Sequence, residues 1–569
     1  MNLRWVRKPQ ADQQLVDSLS KELNIHPVLA QMLIQRGHDT FDKAKIFFRP
    51  QLEDLHDPFL MKDMDLAIER INAAMAKEEK ILIYGDYDVD GTTAVALVYT
   101  YLHKQYNQLD FYIPDRYSEG YGISTTGIDW AHENGFSLII ALDCGIKSLE
   151  KIDYAKSKGI DFIICDHHRP GSELPNAVAV LDPKRSDCTY PFKELSGCGV
   201  GYKLIQALSE KNNRDPKELY EYLDLVAISI AADIVPIMGE NRILAYYGLQ
   251  SINKKPRPGI QEILRMSGSN GEISVSEVVF AIAPRINAAG RMASGRQAVE
   301  LLIAQNEQEA FKLGGVIDAN NTKRKGLNES ITKDALDLIK GDEDFANRKS
   351  TVLFNPEWSK GVIGIVAAKL TDEFYRPTII LTEHNGLVSG SARSVKDFDV
   401  YNAIEQCSDL LEQFGGHMYA AGLTLKPENV ESFKSRFEEV VSSTIQDHML
   451  TREIEIDEYV RLDELTPAFY AILKQFAPFG PGNMSPVFAS ENVIDKGTAR
   501  IVGNNHLKVA LRHHREGTAV FDGIAFQMGK LYDGVASKRP FHVCYHLEEN
   551  HFRGRTTLQL NVKDISFAD

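Results

Sequence analysis

Paired cysteines are missing from this chain of 569 residues. The cysteines present, Cys144, Cys165, Cys188, Cys198, Cys407 and Cys544, are scattered, and no CxxC occurs. Neither a zinc site of paired thiolates nor a disulfide framework is indicated, and a reducing cytoplasm is the expected compartment. No stretch approaches the roughly 18 apolar residues of a membrane span. The opening MNLRWVRKPQADQQLVD has no apolar core of signal-peptide length. A soluble, unexported protein without a membrane partner is therefore expected. A basic excess is lacking too: 64 Lys and Arg stand against 79 Asp and Glu, a net charge of −15. That disfavours a surface that grips nucleic acid everywhere, but leaves room for a basic cleft inside an acidic shell. No tandem repeat, low-complexity tract, GxSxG elbow or cysteine-nucleophile context stands out, which argues against repeat architectures and a covalent hydrolytic intermediate.

What is present is an ordinary globular composition, 43% hydrophobic and 25% charged, long enough for roughly three or four folded units. Residues 1–65 show helical spacing in LVDSLSKELN and PVLAQMLIQRG and carry no candidate chemistry. From residue 79 the rhythm changes to short apolar runs separated by helical stretches: ILIYGD (81–86), FYIPD (111–115), SLIIALD (137–143), DFIICDHH (161–168) and AVAVLD (177–182). Runs buried on both faces and separated by helices predict a parallel sheet in an α/β domain over 66–297. Ligands of such sheets bind beyond the carboxyl ends of the strands, where most of these runs place an Asp. Residues 298–345 predict a long helical connector. A second α/β unit follows over 346–450, with strands near STVLFN, TIILTEHNGLVSGSARS and AAGLTLKP, and short strands over 453–569 predict a small closed β-barrel such as an OB fold.

The strongest chemical signal is GDYDVDGTTAVALVYTYL. If extended, it puts Asp86, Asp88 and Asp90 on one face, with Gly91 turning the chain and Thr92 or Thr93 opening a helix. A single DxD would read as a solvated turn, but three alternating acids repel one another unless cations neutralise them. No bidentate Glu occupies the twelfth position of an EF-hand loop. Asp143 and the triplet Asp166, His167, His168 add ligands at further strand ends. Asp233 is either a ligand or a helix cap. A set rich in carboxylates with one or two imidazoles and no thiolate suits Mn²⁺ or Mg²⁺. Two such ions about 3.5–4 Å apart lower the pKa of a shared water and stabilise an in-line transition state.

Substrate recognition needs cations away from the metals. Arg116 in PDRYSEGYG, Arg285 and Arg291 in APRINAAGRM, and Ser391 with Arg393 in SGSARS are candidates. Each Arg read alone is a surface ion-pair partner, but small neighbours let a backbone approach a ligand closely. His417 and its glycines offer further donors. In the barrel, Phe488, Arg500, His506, Lys508, Arg512, Phe521 and Phe526 interleave aromatic and basic residues, compatible with stacking and backbone attraction. Most of those aromatics read more simply as core; Lys508 and Arg512 stand out because HLKVALRHH sends alternate side chains to opposite faces.

At these residues the chain resembles the DHH phosphoesterase superfamily, most closely its RecJ branch of single-strand-specific 5′ exonucleases. DYDVDG resembles the first motif, the Asp143 segment the second, DHH at 166–168 the third, and Asp233 in ADIVPIMGENR the fourth; GGHMYAAGLTL (415–425) resembles the GGH motif of the DHH-associated domain. The resemblance implies a parallel-sheet DHH domain, a helical connector, a DHH-associated α/β domain and an OB-fold barrel. It makes Asp88, Asp90, Asp143, His167 and Asp233 metal ligands, with Asp143 the bridge between two ions. His168 then sits against the scissile phosphate, Asp86 is a ligand or a supporting acid, and Asp166 orients a histidine. Tyr84 stands where related pyrophosphatases carry a His, against a pyrophosphatase reading. A 5′-phosphate pocket in the cleft between the α/β units is implied. The activity expected is a two-metal, single-stranded-DNA-specific exonuclease acting 5′ to 3′ in DNA repair and recombination. A helicase and a single-strand-binding protein would be its partners, and the chain a monomer. The alternatives are a phosphodiesterase of short oligonucleotides or cyclic dinucleotides, and a non-catalytic single-strand-binding scaffold.

Overall fold

The five apolar runs form five parallel strands, Lys80–Gly85, Leu109–Tyr112, Phe136–Leu142, Asp161–Cys165 and Ala179–Leu181, in a computed structural model that describes residues 3–567 apart from 270, 516 and 518. Both faces of the sheet are covered. Ile81, Ile83, Leu138 and Ile140 enter one core, while Leu82, Tyr84, Ile139 and Ala141 enter another on the opposite face. Period-two alternation between two apolar layers explains why these strands read as unbroken apolar runs. Lys80–Gly85 lies between Leu109–Tyr112 and Phe136–Leu142. The chain therefore moves one way along the sheet and then the other, and a crevice opens at the switch between Lys80–Gly85 and Phe136–Leu142. Asp86 and Asp143 directly follow those two strands.

The connector is a 34-residue helix, Glu307–Lys340, about 51 Å long at 1.5 Å per residue. Its first half buries Ala310 and Ile317 in the core of the first domain, and its second half buries Ile331, Ala335 and Ile339 against the second. A spine gripped at both ends can stay polar between them. The second domain has a five-stranded sheet in which only Thr351–Phe354 and Thr378–His384 run parallel. The run TIILTEHNGLVSGSARS is a hairpin, Thr378–His384 and Leu387–Arg393, turning at Asn385 and Gly386 with φ of 53° and 77°. An edge strand, Leu411–His417, completes the sheet. It is too polar and glycine-rich to stand out by pattern.

The barrel closes through Phe488–Asp495, which pairs with both Phe541–Phe552 and His506–His513. From His506–His513 the ring continues through Phe521–Ala525 and, in parallel, Arg555–Phe567 back to Phe541–Phe552. The helices Gln13–Leu23, Pro27–Gln35 and Phe41–Phe48 share this unit's core, with Val16, Leu19, Leu29 and Phe47 joining Phe469, Phe476, Phe488 and Val543. The strand Arg4–Arg7 also pairs in parallel with Glu453–Ile456, so the two ends of the described chain are one packed unit. Among the described residues no helix is long and apolar enough to cross a membrane.

Candidate metal centre and phosphate cleft

The helix after Lys80–Gly85 begins at Val89 rather than at Thr92 or Thr93. Asp88 caps it, accepting from the Gly91 N–H at 3.0 Å, and Asp90 lies in its first turn. The three acids therefore do not share one extended face; a strand end and a helix start converge instead. Gly91 serves close approach rather than a turn, since a Cβ there would lie 2.5 Å from the Asp86 carbonyl oxygen. Asp143 adopts the left-handed region at φ 59°, which short polar side chains tolerate best. Gly197 presses on it so closely that a Cβ would lie 2.6 Å from the Asp143 Cβ.

His167 Nε2 lies 3.2 Å from Asp143 Oδ1 and 3.6 Å from both Asp90 Oδ2 and Asp233 Oδ2. These acids come from a helix start, a strand end and the end of the helix Leu223–Ala232. Nδ1 of His167 is 3.0 Å from the Leu195 carbonyl oxygen, which can only accept, so the proton belongs on Nδ1 and the Nε2 lone pair faces the acids. Nε2, Asp143 Oδ1 and Asp86 Oδ2 are buried without a hydrogen-bond partner. No lysine or arginine among the described residues pairs with Asp86, Asp88, Asp90, Asp143 or Asp233. Burial and mutual repulsion raise the carboxyls of Asp86, Asp88 and Asp143 above the usual range, and push Asp233 up to about 8. Asp90 is anchored by the Gly197 and Cys198 N–H groups and the Ser229 hydroxyl, each at 2.7 Å. Two sets of ligand atoms lie within coordinating reach of one another: Asp143, His167, His168, and Asp90, His167, Asp233. A lone imidazole nitrogen and unpartnered carboxylate oxygens at a strand switch fit hard divalent cations.

Asp166 points away from this cluster. Its Oδ1 accepts from the His168 ring at 2.8 Å and from the His167 and His168 N–H groups, and its Oδ2 from the Ile146 N–H. Burial opposes its charge, but the His168 hydrogen bond and charge outweigh that and hold Asp166 down to about 2. Burial likewise opposes the His168 charge, and Asp166 overrides it, lifting His168 to about 9. Nε2 of His168 meets the Tyr121 hydroxyl at 3.3 Å. Tyr121, 52% exposed, is a site residue that sequence reasoning missed. The available signal was its place between Gly120 and Gly122, both at positive φ.

Across the cleft the charges reverse. The Arg116 guanidinium lies 5.2 Å from the centre of the Tyr87 ring. Arg291 donates to the Gly361 carbonyl at 3.2 Å, and Arg393 to the Ser391 hydroxyl at 3.2 Å. A Cβ on Gly364 would lie 2.9 Å from the Ser391 hydroxyl, so Ser391 and Arg393 sit against the start of the helix Ile363–Phe374. Burial, then the charges of Arg116, Arg324 and Arg393, push Arg291 down to about 10. Burial and Arg116 lower Arg393 and Lys360 as well. Lys360, the second missed residue, was marked only by its place before GVIG. His417 ends the edge strand on the metal side; burial, then Lys147, His168 and Lys184, lower its pKa. Arg285 is a correction. It is 7% exposed, donates to the Ala281 and Met266 carbonyls at 2.8 and 3.1 Å, and lies 3.5 Å from Asp318. Arg285 and Arg291 are six residues apart on one helix, about 120° apart around its axis, so they leave different faces of it.

On the barrel, Lys508 and Arg512 are half-buried on one outer face of His506–His513, while Leu507, Val509 and Leu511 fill the core. Phe526 is exposed and meets the His506 ring edge-on at 5.1 Å; Phe488 is core.

Three family profiles match the chain: "DHH family, N-terminal domain" over residues 80–230, "DHHA1 domain" over 347–443 and "RecJ OB domain" over 456–564. The single-stranded-DNA-specific exonuclease RecJ of Bacillus subtilis is 38% identical, covering 100% of this chain and 71% of the relative. The crystal structure of RecJ from Thermus thermophilus in complex with Mn²⁺ superposes with a TM-score of 0.85 at 27% identity, over 100% of this chain and 80% of the other. The corresponding Mg²⁺ complex gives 0.79 at 26% identity, over 100% and 79%.

Proposed function

The chain belongs to the RecJ family of single-stranded-DNA-specific exonucleases, and from that premise we propose that it hydrolyses phosphodiester bonds of single-stranded DNA from the 5′ end. Mn²⁺ or Mg²⁺ is its cofactor, with two ions held at one site. The observation that carries this reading is the His167 Nε2 lone pair, buried without a donor among Asp90, Asp143 and Asp233.

Asp88, Asp90, Asp143, His167 and Asp233 would hold the ions, with His167 common to the two ligand sets and Asp86 beside them. Ions bound there would supply Lewis acidity and positive charge, which would lower the pKa of a bound water and offset charge that develops on the phosphoryl oxygens. The chain's own groups do the rest. Asp166 keeps His168 protonated, so that its Nε2–H is available to a phosphate oxygen of the scissile bond. Arg116, Arg291, Ser391 and Arg393, joined by Lys360, form a pocket for a 5′-terminal phosphate, and its separation from the acids sets where the strand is cut. Guanidinium forks suit a dianionic phosphate better than a single internal phosphodiester. That difference supports the 5′ to 3′ polarity. His417 closes the cleft from the second domain, and Lys508 and Arg512 guide the incoming strand on the barrel. In repair and recombination a helicase and a single-strand-binding protein would supply that strand to the enzyme, which acts as a monomer.

Time-resolved product analysis on end-labelled single strands with Mn²⁺ tests the reading. Mononucleotides should be released from the 5′ end, faster from 5′-phosphate than from 5′-hydroxyl strands, while a blunt duplex is spared. Release from the 3′ end would overturn the polarity. Turnover of dinucleotides alone would place the chain with small-substrate phosphodiesterases, a class for which the barrel has no evident use.

A further inference from the structure

The segment GENR, Gly239 to Arg242, follows Asp233 closely but touches neither of the two charged clusters. Its side chains Glu240, Asn241 and Arg242 are all buried. Asn241 is 0% exposed, and its Nδ2 donates to the Glu194 carbonyl at 2.5 Å and to the Pro236 carbonyl at 3.0 Å. Carbonyl oxygens can only accept, so the amide must present its NH₂ to both. We propose that Asn241 is a positioning residue for the metal centre, steadying the chain segments that orient His167 and carry Asp233 through the Glu194 and Pro236 carbonyls. The inference rests on the metal reading of the acid cluster.

Both bonded carbonyls sit next to a ligand's support. The Glu194 carbonyl belongs to the peptide that leads into Leu195, and the Leu195 carbonyl holds His167 Nδ1 at 3.0 Å, orienting the ring. Pro236 lies three residues after Asp233, in a segment carrying Ile234 at φ 60° and 66% exposed. A β-branched residue in the left-handed region is strained, and an exposed side chain gains little from packing. The segment stays in place because it is tied at two points, the Pro236 carbonyl to Asn241 and the Ile237 N–H to the Pro481 carbonyl at 2.7 Å.

Asn241 is itself held from both sides. Glu240 pairs with Lys203 at 2.6 Å and accepts from the Tyr190 hydroxyl at 2.6 Å and the His56 N–H at 2.9 Å. Arg242 donates to the carbonyls of Phe47 at 3.1 Å, Phe476 at 2.9 Å and Ala477 at 3.0 Å. With its neighbours fastened to separate parts of the molecule, the Asn241 amide has a fixed position from which to align two ligands. Groups that orient metal ligands typically change affinity or activity about 10- to 100-fold when lost.

The test is Mn²⁺ binding to the metal-stripped full-length protein, followed by the electron paramagnetic resonance of free Mn²⁺, alongside kinetics and thermal melts. Asn241→Leu removes both donors at similar volume. It should bind Mn²⁺ about 10- to 100-fold more weakly, regain much of its kcat at saturating Mn²⁺ and keep its KM for single strands. Ile260→Ala, a core truncation in the helix Pro258–Ser267, serves as a stability control that should lower Tm without changing Mn²⁺ affinity. Unchanged Mn²⁺ binding by Asn241→Leu, or an equal loss in Ile260→Ala, would overturn the proposal. If Asn241→Leu lacks a cooperative melt, Asn241→Ser, which keeps one donor, is judged by the same criteria. A parent protein that binds no Mn²⁺ would instead overturn the metal reading itself.

Discussion

The acid cluster at the strand switch and the cationic cluster across the cleft carry opposite charge, yet share one defect. Burial and mutual repulsion raise Asp86, Asp88, Asp143 and Asp233, burial and neighbouring positive charge lower Arg291, Arg393 and Lys360, and among the described residues no salt bridge joins any of these acids to a lysine or arginine or any of these cations to a carboxylate. Burial lowers Lys203, Arg36 and Arg242 as well, but these have partners: Lys203 pairs with Glu240, Arg36 with Asp457 and Asn483, and Arg242 donates to a fan of carbonyls. Burial of charge therefore has two meanings in this molecule. Partnered groups hold domains together; those without an ion pair are the ones that the proposed function assigns to cations on one side and a phosphate on the other.

The largest test of that contrast is Asp143→Ala, which removes the carboxylate nearest His167 Nε2, at 3.2 Å. Exonuclease initial rates at saturating Mn²⁺ should fall by about 10³-fold or more. A variant within tenfold of the parent would take the acid cluster out of the chemistry. On the opposite wall, Arg393→Ala should cut kcat/KM on 5′-phosphorylated strands by about 10- to 100-fold, the worth of a charge-assisted hydrogen bond. The same change should leave 5′-hydroxyl strands nearly unaffected, and equal losses on both would deny the pocket a role in reading the phosphate.

Frustration also predicts a gain. With metal chelated, Asp88→Asn keeps the helix cap, removes one like charge and should raise Tm by about 2–4 °C, as expected of ~1 kcal/mol. A lower Tm in chelator would show that the cluster does not repel itself. At the barrel, Lys508→Ala should weaken single-strand binding a few-fold and flatten the slope of log K against log salt by about 0.7. An unchanged slope would place Lys508 off the strand's path.

The smallest effect lies away from both clusters. Burial, then the charges of Arg242 and Arg36, hold His38 down to about 4. The folded state keeps this ring neutral while the unfolded chain takes up a proton near 6.5, so stability present at neutral pH is lost as pH falls from about 6.5 to about 4. The shift is modest in energy because the ring is partly exposed. Urea melts between these pH values should lose part of their slope in His38→Gln, and an identical pH profile would assign the dependence to other groups.

Much of the first domain was legible because its signals are local. Each strand is an apolar run ended by an acid, and periodicity along the chain needs no knowledge of distant residues. The identity of the cations followed in the same way, since a carboxylate and imidazole set without thiolates points to hard metals. The helix start was misplaced by a few residues because Asp88 serves both as a ligand candidate and as a cap, and spacing alone cannot separate the two. Arg285 was misassigned because it shares a motif with Arg291; only rotation around the helix Ala283–Met292 tells them apart. Tyr121 and Lys360 are marked in the sequence only by neighbouring glycines, a signal that many loops share.

By itself, then, the sequence determined the parallel strands, the acids at their carboxyl ends and the kind of metal they suit, because period and ligand chemistry are properties of neighbouring residues. Only the tertiary structure decided that the N-terminal helices share the barrel's core, which arginines meet across the cleft, and that the amide of Asn241 reaches the Glu194 and Pro236 carbonyls. Those relations join positions far apart in the chain, and packing alone sets such distances.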